Sequence, residues 1–478
     1  MRPGLQSEMI RSELEDVVGE HFISTRDTDL AVYATDWSWM AQMWLDRGEE
    51  LRLPDYIVHP GTVEEVSDIL KIANGYRIPV IPFGGGSGTQ GSALPLHGGI
   101  MLDTKRLSAI IEIDEKSLKV TTQAGIINTQ LEWALNEHNL TYPHYPASGN
   151  CATMAGFLAA RGTGTISTKY GKAEDMVLSM QVVLPNGDII RTPAVPNHSS
   201  GPDFGRIFLG AEGTLGVITE ATMQIDHMPE TRLLRALLFD DLSKALEAGR
   251  RMMTRRLDPL VIRLYDEHST RTRVREILGY EMEGAYMVLG FDGFEEIATA
   301  QEQRALEICA DLGARDLGRE PGEKWWDHRY DFYYPPKNLK LPWMYGTTET
   351  VTTFDKIEAL YHAKKAAIED NYADWDVSYI GHFSHWYHWG ASLYDRFVVK
   401  EPPQDAQETI RLHNRIWSSA VKASLANGGM INDHHGVGIK LGRFTREQYG
   451  AAWPLLQSLK RTIDPNGIMN PGKLGFGY

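Results

Sequence analysis

The segment Pro82-Phe-Gly-Gly-Gly-Ser-Gly-Thr-Gln-Gly-Ser92 constrains this chain more than any other. It follows the apolar run Ile78-Pro-Val-Ile81, which reads as a short strand. Glycine permits positive φ and lets the backbone approach a ligand closely. Successive bare N–H groups in such a loop form a concave anion site, suited to a phosphate or pyrophosphate. A nucleotide cofactor is therefore expected; an ordinary glycine turn is the bland alternative. Gly86-x-Gly88-x-x-Gly91 has the spacing of the Rossmann dinucleotide fingerprint, which requires a helix to open on the last glycine. Here the chain continues as Ala93-Leu-Pro95-Leu-His-Gly-Gly99, which cannot be a helix interior. The Rossmann reading fails, and the loop amides themselves must meet the phosphates.

Short strands alternate with helices through the first half. Tyr56-Ile-Val58 reads as a strand. Thr62-x-x-Glu65 reads as a capping box opening a helix with Val66, Ile69, Leu70 and Ala73 on one face, closed by Gly75. Ser117–Thr122 is an expected strand, and Thr129-x-x-Glu132 is expected to cap the next helix. Pro185-Asn-Gly187 between Met180–Leu184 and Asp188–Arg191 signals a hairpin, and Gly216–Ile225 a further strand. Composition shifts near Pro229, which sets expected units at 1–229, 230–410 and 411–478. The middle unit holds six of the twelve tryptophans: Trp325, Trp326, Trp343, Trp375, Trp386 and Trp389. A helix is expected from Ala406 to Leu425.

A net charge of −15 argues against nucleic acid as a partner. Two cysteines, Cys151 and Cys309, exclude a disulfide framework. No apolar run is long enough for a membrane span, and neither terminus carries an address, so cytoplasm is the expected location.

Three further segments share the chemistry of the first. Pro146-Ala-Ser-Gly-Asn-Cys-Ala-Thr-Met-Ala-Gly156 is small and polar, with Ser148, Asn150 and Thr153 able to bond a ring edge or a phosphate. Arg161-Gly-Thr-Gly164 adds a cation and two glycines, and Phe208–Gly216 is a glycine turn entering a strand. Small residues more often mark tight packing, but several backbone-exposing loops together suit an extended dinucleotide.

With Tyr170-Gly-x-x-Glu-Asp175, Gly201-Pro-Asp203 and Gly210-Ala-Glu-Gly-Thr-Leu-Gly-Val-Ile-Thr-Glu220, these segments resemble the FAD-binding half of the vanillyl-alcohol oxidase/p-cresol methylhydroxylase superfamily. The closing Asp464-Pro-x-x-Ile-Met-Asn-Pro-Gly-Lys473 resembles its alkylglycerone-phosphate synthase and glycolate oxidase/D-lactate dehydrogenase branches. The resemblance covers roughly residues 50–478. It implies an α+β fold: a two-subdomain FAD-binding domain, with an α+β cap over the flavin. It implies FAD contacts at Pro82, Gly84, Gly85, Gly86, Ser87, Gly88, Thr89, Gln90 and Ser92. Ala147, Ser148, Asn150, Thr153, Arg161, Gly162 and Gly164 follow, then Glu212, Gly216, Val217 and Ile218. Some relatives attach FAD covalently through a histidine in the glycine loop. This loop has none, so non-covalent FAD is expected, although Cys151 stands where doubly linked relatives place a flavin-bound cysteine.

Hydride transfer to a flavin needs a nearby base with a tunable pKa. His382-Phe-Ser-His385-Trp-Tyr387-His388-Trp-Gly-Ala-Ser-Leu-Tyr394 and Asn432-Asp433-His434-His435-Gly-Val-Gly438 supply such groups. Strand alternation puts His382, His388 and Tyr394 on one face and His385 on the other. Satisfied core histidines and a surface turn are the bland alternatives. The resemblance implies an acid/base role for Tyr394, a flavin-facing role for His434 and His435, and a functional role for Arg263. Asp433 departs from the synthase histidine cluster. So does the segment around Pro335 and Lys337, where that branch holds substrate phosphate with an arginine. The hydroxy-acid branch's metal motif is missing and no metal is expected, although His382, His385 or His388 together with His434 is a chemically possible ligand set.

The catalytic set expected is thus Tyr394, His434, His435, Arg263 and His388. The activity expected is that of an FAD-dependent oxidase or dehydrogenase. It would take hydride from a hydroxylated, aromatic or otherwise uncharged small molecule, with oxygen or another electron acceptor as second partner. The alternatives are a redox-neutral alkylglycerone-phosphate synthase-like transferase using a flavin N5 adduct, a D-2-hydroxy acid dehydrogenase, and a non-catalytic FAD-binding protein. A homodimer is the expected assembly.

Overall fold

A computed structural model describes residues 5–333 and 340–477. The segment containing Pro335 and Lys337 lies outside the described residues. The first half builds two larger sheets and a two-stranded pair, Leu140–Thr141 with Asp226–His227. Tyr56–Val58, Ile100–Asp103 and Val80–Phe83 pair in parallel, with Ile23–Ser24 on the edge. Five antiparallel strands follow in the order Ile110–Asp114, Lys119–Gln123, Val217–Gln224, Val177–Val183, Ile189–Arg191. The hairpin expected at Pro185–Gly187 joins the last two of these, with Gly187 at φ 87°.

Local signals behaved unevenly. Helix Val63–Tyr76 buries Val66, Ile69, Leu70 and Ala73 as expected, and Thr62 Oγ1 accepts from Glu65 N at 3.1 Å. Glu65 reaches back one residue further than the motif implies, accepting from Gly61 N at 2.6 Å. The helix runs through Gly75 and ends on Arg77 in the left-handed region. Thr129 and Glu132 cap nothing. Helix Asn128–Asn136 begins one residue before Thr129, whose hydroxyl donates to Asn150 Oδ1 at 3.0 Å. Glu132 instead ties down the following strand, accepting from Thr141 Oγ1, Tyr142 N and Tyr145 OH at 2.7–2.8 Å. Tertiary partners outbid the local cap. No helix opens on Gly91; the chain runs irregularly from Phe83 to Ile100, as the proline and glycines there require.

The second half builds an eight-stranded antiparallel sheet. Its order is Arg315–Gly318, Thr231–Phe239, Ala285–Gly293, Val261–Tyr265, Ser378–Tyr387, Gly390–Val399 and Met344–Thr347, with Thr350–Thr353 also pairing Gly390–Val399. Helices Leu242–Thr254, Glu295–Asp311, Ile357–Glu369 and Ala406–Ala426 contribute to the large apolar core around it. The end of the chain returns to the first sheet, where Met469 bridges Val80 and Asn470 N donates to Val80 O at 2.9 Å. A cavity lies between the glycine loop and the eight-stranded sheet.

Candidate active site

The cavity encloses about 630 Å³. All the expected cofactor residues line it except Gln90 and Arg161. Gln90 is wholly buried beneath the loop, where its carbonyl accepts from Ile439 N at 3.1 Å. Arg161 pairs with Glu174, its Nη2 donating to Oε1 at 2.7 Å.

The glycines do steric work. A Cβ on Gly84 would lie 2.1 Å from Thr153 Oγ1, and one on Gly85 would lie 1.9 Å from Cys151 O. The loop is thus clamped against the Pro146–Gly156 segment with its backbone bare toward the cavity. Several polar atoms here are buried without a partner: Thr89 Oγ1, Thr153 Oγ1 and both ring nitrogens of His144. Buried polar groups normally find partners, so these orphaned atoms imply a polar ligand. A bare glycine loop, orphaned donors and acceptors, and a cavity reaching the cap fit FAD.

The cap side carries the titratable groups. Tyr394, His434, His435 and Arg263 line the cavity. The Tyr394 ring lies 4.7 Å from His382 and 5.4 Å from both His434 and His435, centroid to centroid. Burial, then Tyr345 and Glu349, hold the Tyr394 phenol well above its usual range, outweighing Arg396. It stays a neutral donor at physiological pH.

His434 Nδ1 lies 2.8 Å from Asp433 Oδ2. That carboxylate also accepts from Ser392 Oγ at 2.9 Å, and Lys172 Nζ stands 3.7 Å from its other oxygen. Burial works to raise Asp433, but Lys172 and His434 outweigh it and hold it ionised. An ionised carboxylate only accepts, so it fixes the proton on His434 Nδ1 and leaves Nε2 as a lone pair. Burial and the adjacent His435 lower the His434 pKa against the pull of Asp433, which keeps the ring neutral. His435 Nδ1 lies 2.5 Å from Glu349 Oε1. Burial raises Glu349, yet the charge and hydrogen bond of His435, with His434, bring it down to about 2.

His388 does not join them. Its strand carries a register shift between Phe383 and His385, which reverses the side-chain alternation. His385 therefore faces the cavity, held between Thr163 Oγ1 (2.6 Å) and Ser167 Oγ (2.5 Å). His388 sits past the strand's end, its side chain 41% exposed, with Nδ1 3.1 Å from Met253 O. Replacing His388 with alanine is expected to change kcat/KM less than threefold. A steady-state assay of the variant checks this.

His385, Asp433 and His434 bring one potential metal-ligand atom each within 4.8 Å of one another, and each already has hydrogen-bond partners. Sequence reasoning also missed Trp37, Trp39, His144, Tyr345 and Lys440 among the lining residues. Lys440, two residues beyond Gly438, had the plainest signal.

Such a cavity is that of a flavin-binding enzyme. Residues 54–193 match the FAD binding domain family, and residues 228–474 match the FAD linked oxidases, C-terminal domain. An uncharacterized FAD-linked oxidoreductase YgcU of Escherichia coli is 31% identical over 440 residues, 89% of each chain. Alkyldihydroxyacetonephosphate synthase of Trypanosoma brucei is 27% identical over 90% of this chain and 74% of its own. Probable D-lactate dehydrogenase of Danio rerio is 27% identical over 88% and 84%. A solved alkyldihydroxyacetonephosphate synthase superposes with TM-score 0.81 at 25% identity, covering 98% of this chain and 86% of that one. Substrate-bound p-cresol methylhydroxylase shares the fold, with TM-score 0.80 at 18% identity over 98% and 97%. The chain belongs to the FAD-linked oxidase family. No helix among the described residues is long and apolar enough to cross a membrane.

Proposed function

We propose that the protein oxidises the C–OH group of a small molecule. The observation that carries this reading is the stack of Tyr394 on His434 at the cavity wall, with Asp433 behind it on His434 Nδ1. His434 Nε2 accepts the hydroxyl proton, because Asp433 holds the other nitrogen protonated and burial keeps the ring neutral. Tyr394 remains a phenol and donates a hydrogen bond to the substrate oxygen, the acid side of the acid/base role that the resemblance implies. Arg263 faces the negative charge that develops on that oxygen. When bound, FAD supplies the acceptor for the hydride.

The substrate is shaped by aromatic side chains on the cavity lining, Tyr333, Tyr345, Trp37 and Trp39. The expectation of an uncharged substrate rested on the cap's aromatics and on the missing phosphate arginine, and the latter falls in the segment outside the described residues. The charges lining the cavity favour another reading. Arg263 is buried, makes no ion pair with a described residue, and has an Nε without an acceptor. A ligand oxygen that bears or develops negative charge fits it better.

A redox-neutral synthase-type transfer is the second reading. It is favoured by the His-His-Gly-Val-Gly segment and by the alkyldihydroxyacetonephosphate synthases among the relatives. Anaerobic mixing separates the two. Bleaching of the flavin band by a phenolic alcohol or a hydroxy acid supports oxidation. A spectral change with an acylated glycerone phosphate, without net reduction, supports transfer and sinks the first reading. Under the first reading, Tyr394→Phe is expected to lower kcat/KM by about 10²-fold or more with flavin content unchanged.

A further inference from the structure

Five lysines of the described chain are buried, and four have a partner. Lys172 donates to Asp433 O at 2.7 Å, and Lys364 to Asp395 Oδ1 at 2.8 Å. Lys460 donates to Asp464 Oδ2 at 2.5 Å, and Lys473 to Leu94 O at 2.7 Å. Lys440 alone among them makes no hydrogen bond or ion pair with a described residue. It is 8% exposed and lines the cavity, its ammonium 4.2 Å from the centre of the Trp417 ring. Its acidic neighbours Asp36 and Glu349 act on it only at longer range, and burial outweighs them, lowering its pKa to about 7.

The backbone around Lys440 is pinned. Gly438 N donates to Glu212 Oε2 at 2.8 Å, Ile439 N to Gln90 O at 3.1 Å, and Leu441 N to Val437 O at 3.1 Å. A Cβ on Gly438 would stand 2.1 Å from Gln90 O, so the turn seats directly on the glycine loop. The fold therefore aims the side chain at the cavity rather than leaving it on a free loop. Burying an ammonium without a counter-charge is expensive, and a chain that keeps one on a ligand cavity has an anion to meet there.

We propose that Lys440 is an anion-binding group of the cavity, receiving either a carboxylate or phosphate oxygen of the substrate or the anionic pyrimidine edge of the reduced cofactor. This rests on reading the cavity as the flavin and substrate site, but not on the oxidation chemistry, so its test uses no turnover. Purified holoprotein, Lys440→Met and Lys440→Arg are compared by two measurements. One is the flavin midpoint potential. The other is the dissociation constant of oxalate and of inorganic phosphate, read from the visible flavin band.

The Met variant is expected to shift at least one quantity tenfold, and the Arg variant to restore it to within threefold. Weaker oxalate or phosphate binding at unchanged potential assigns the anion to the substrate. A potential lowered by about 30 mV, which is tenfold for a two-electron couple, assigns it to the cofactor. Movement of both supports a cation shared between them. Both quantities within twofold of wild type would overturn the proposal and leave Lys440 a packing partner of Trp417. So would an unchanged potential together with probes that bind neither protein. If the Met variant does not retain flavin, Lys440→Gln carries the same test.

Discussion

Asp433→Asn is expected to lower kcat by about 10²- to 10⁴-fold while FAD stays bound. Asp433 lies behind the cavity wall, so it touches the reaction only through His434. As a carboxylate it offers His434 Nδ1 nothing but an acceptor, which keeps the proton there. An asparagine amide can present its N–H₂ to the same nitrogen and send the proton to Nε2, where it blocks the base. Removing the negative charge also lowers the His434 pKa further, because Asp433 is what pulls it up. Any residual activity should then have an acid limb displaced to lower pH. Flavin absorbance and Tm report separately on folding, which matters because Lys172 loses its counter-charge. A variant that keeps kcat within threefold of wild type would remove His434 from the role of base.

Gly85→Ala is expected to weaken FAD about 5- to 150-fold, the equivalent of the roughly 1–3 kcal/mol that overpacking costs. The added methyl would sit 1.9 Å from Cys151 O, a backbone atom with no rotamer in which to escape. Either the glycine loop or the Cys151–Thr153 segment must move, and both line the cofactor cavity. Gly75, inside helix Val63–Tyr76 and away from the cavity, is the internal control, since a Cβ there meets nothing within 4 Å. Flavin-to-protein absorbance after gel filtration measures the difference: Gly85→Ala should emerge depleted and Gly75→Ala yellow. Equal flavin content in the two would show that the loop is not held against that segment.

These contrasts show where the sequence was readable. The glycine loop, the small polar segment after Pro146 and the turn at Gly210–Gly216 state their constraint locally. Each needs a bare backbone, and only glycine and small residues provide one. The cap was harder, because its decisive feature is a register shift at Phe383–His385 that strict alternation cannot foresee. It brings His385 to the hydroxyls of Thr163 and Ser167, some 220 residues earlier in the chain, and leaves His388 outside. Trp37 and Trp39 were missed for a similar reason. Trp37 N donates to Gly86 O and Trp39 Nε1 to Trp343 O, partners set by the tertiary fold. Thr129 and Glu132 carried a cap signal, and the partners that displaced it lie outside the helix.

The most direct test of the account is the rate of anaerobic flavin bleaching by a reducing substrate, followed from pH 5 to pH 10. His434 begins with a lowered pKa, so its lone pair is lost only on the acid side, while Tyr394 stays protonated across the whole range. The rate should therefore fall below the usual histidine range of about 6.5 and show no further rise from pH 7 to pH 10. A rate that climbs steadily toward pH 10 would make an ionising phenol the base and contradict the assignment of His434.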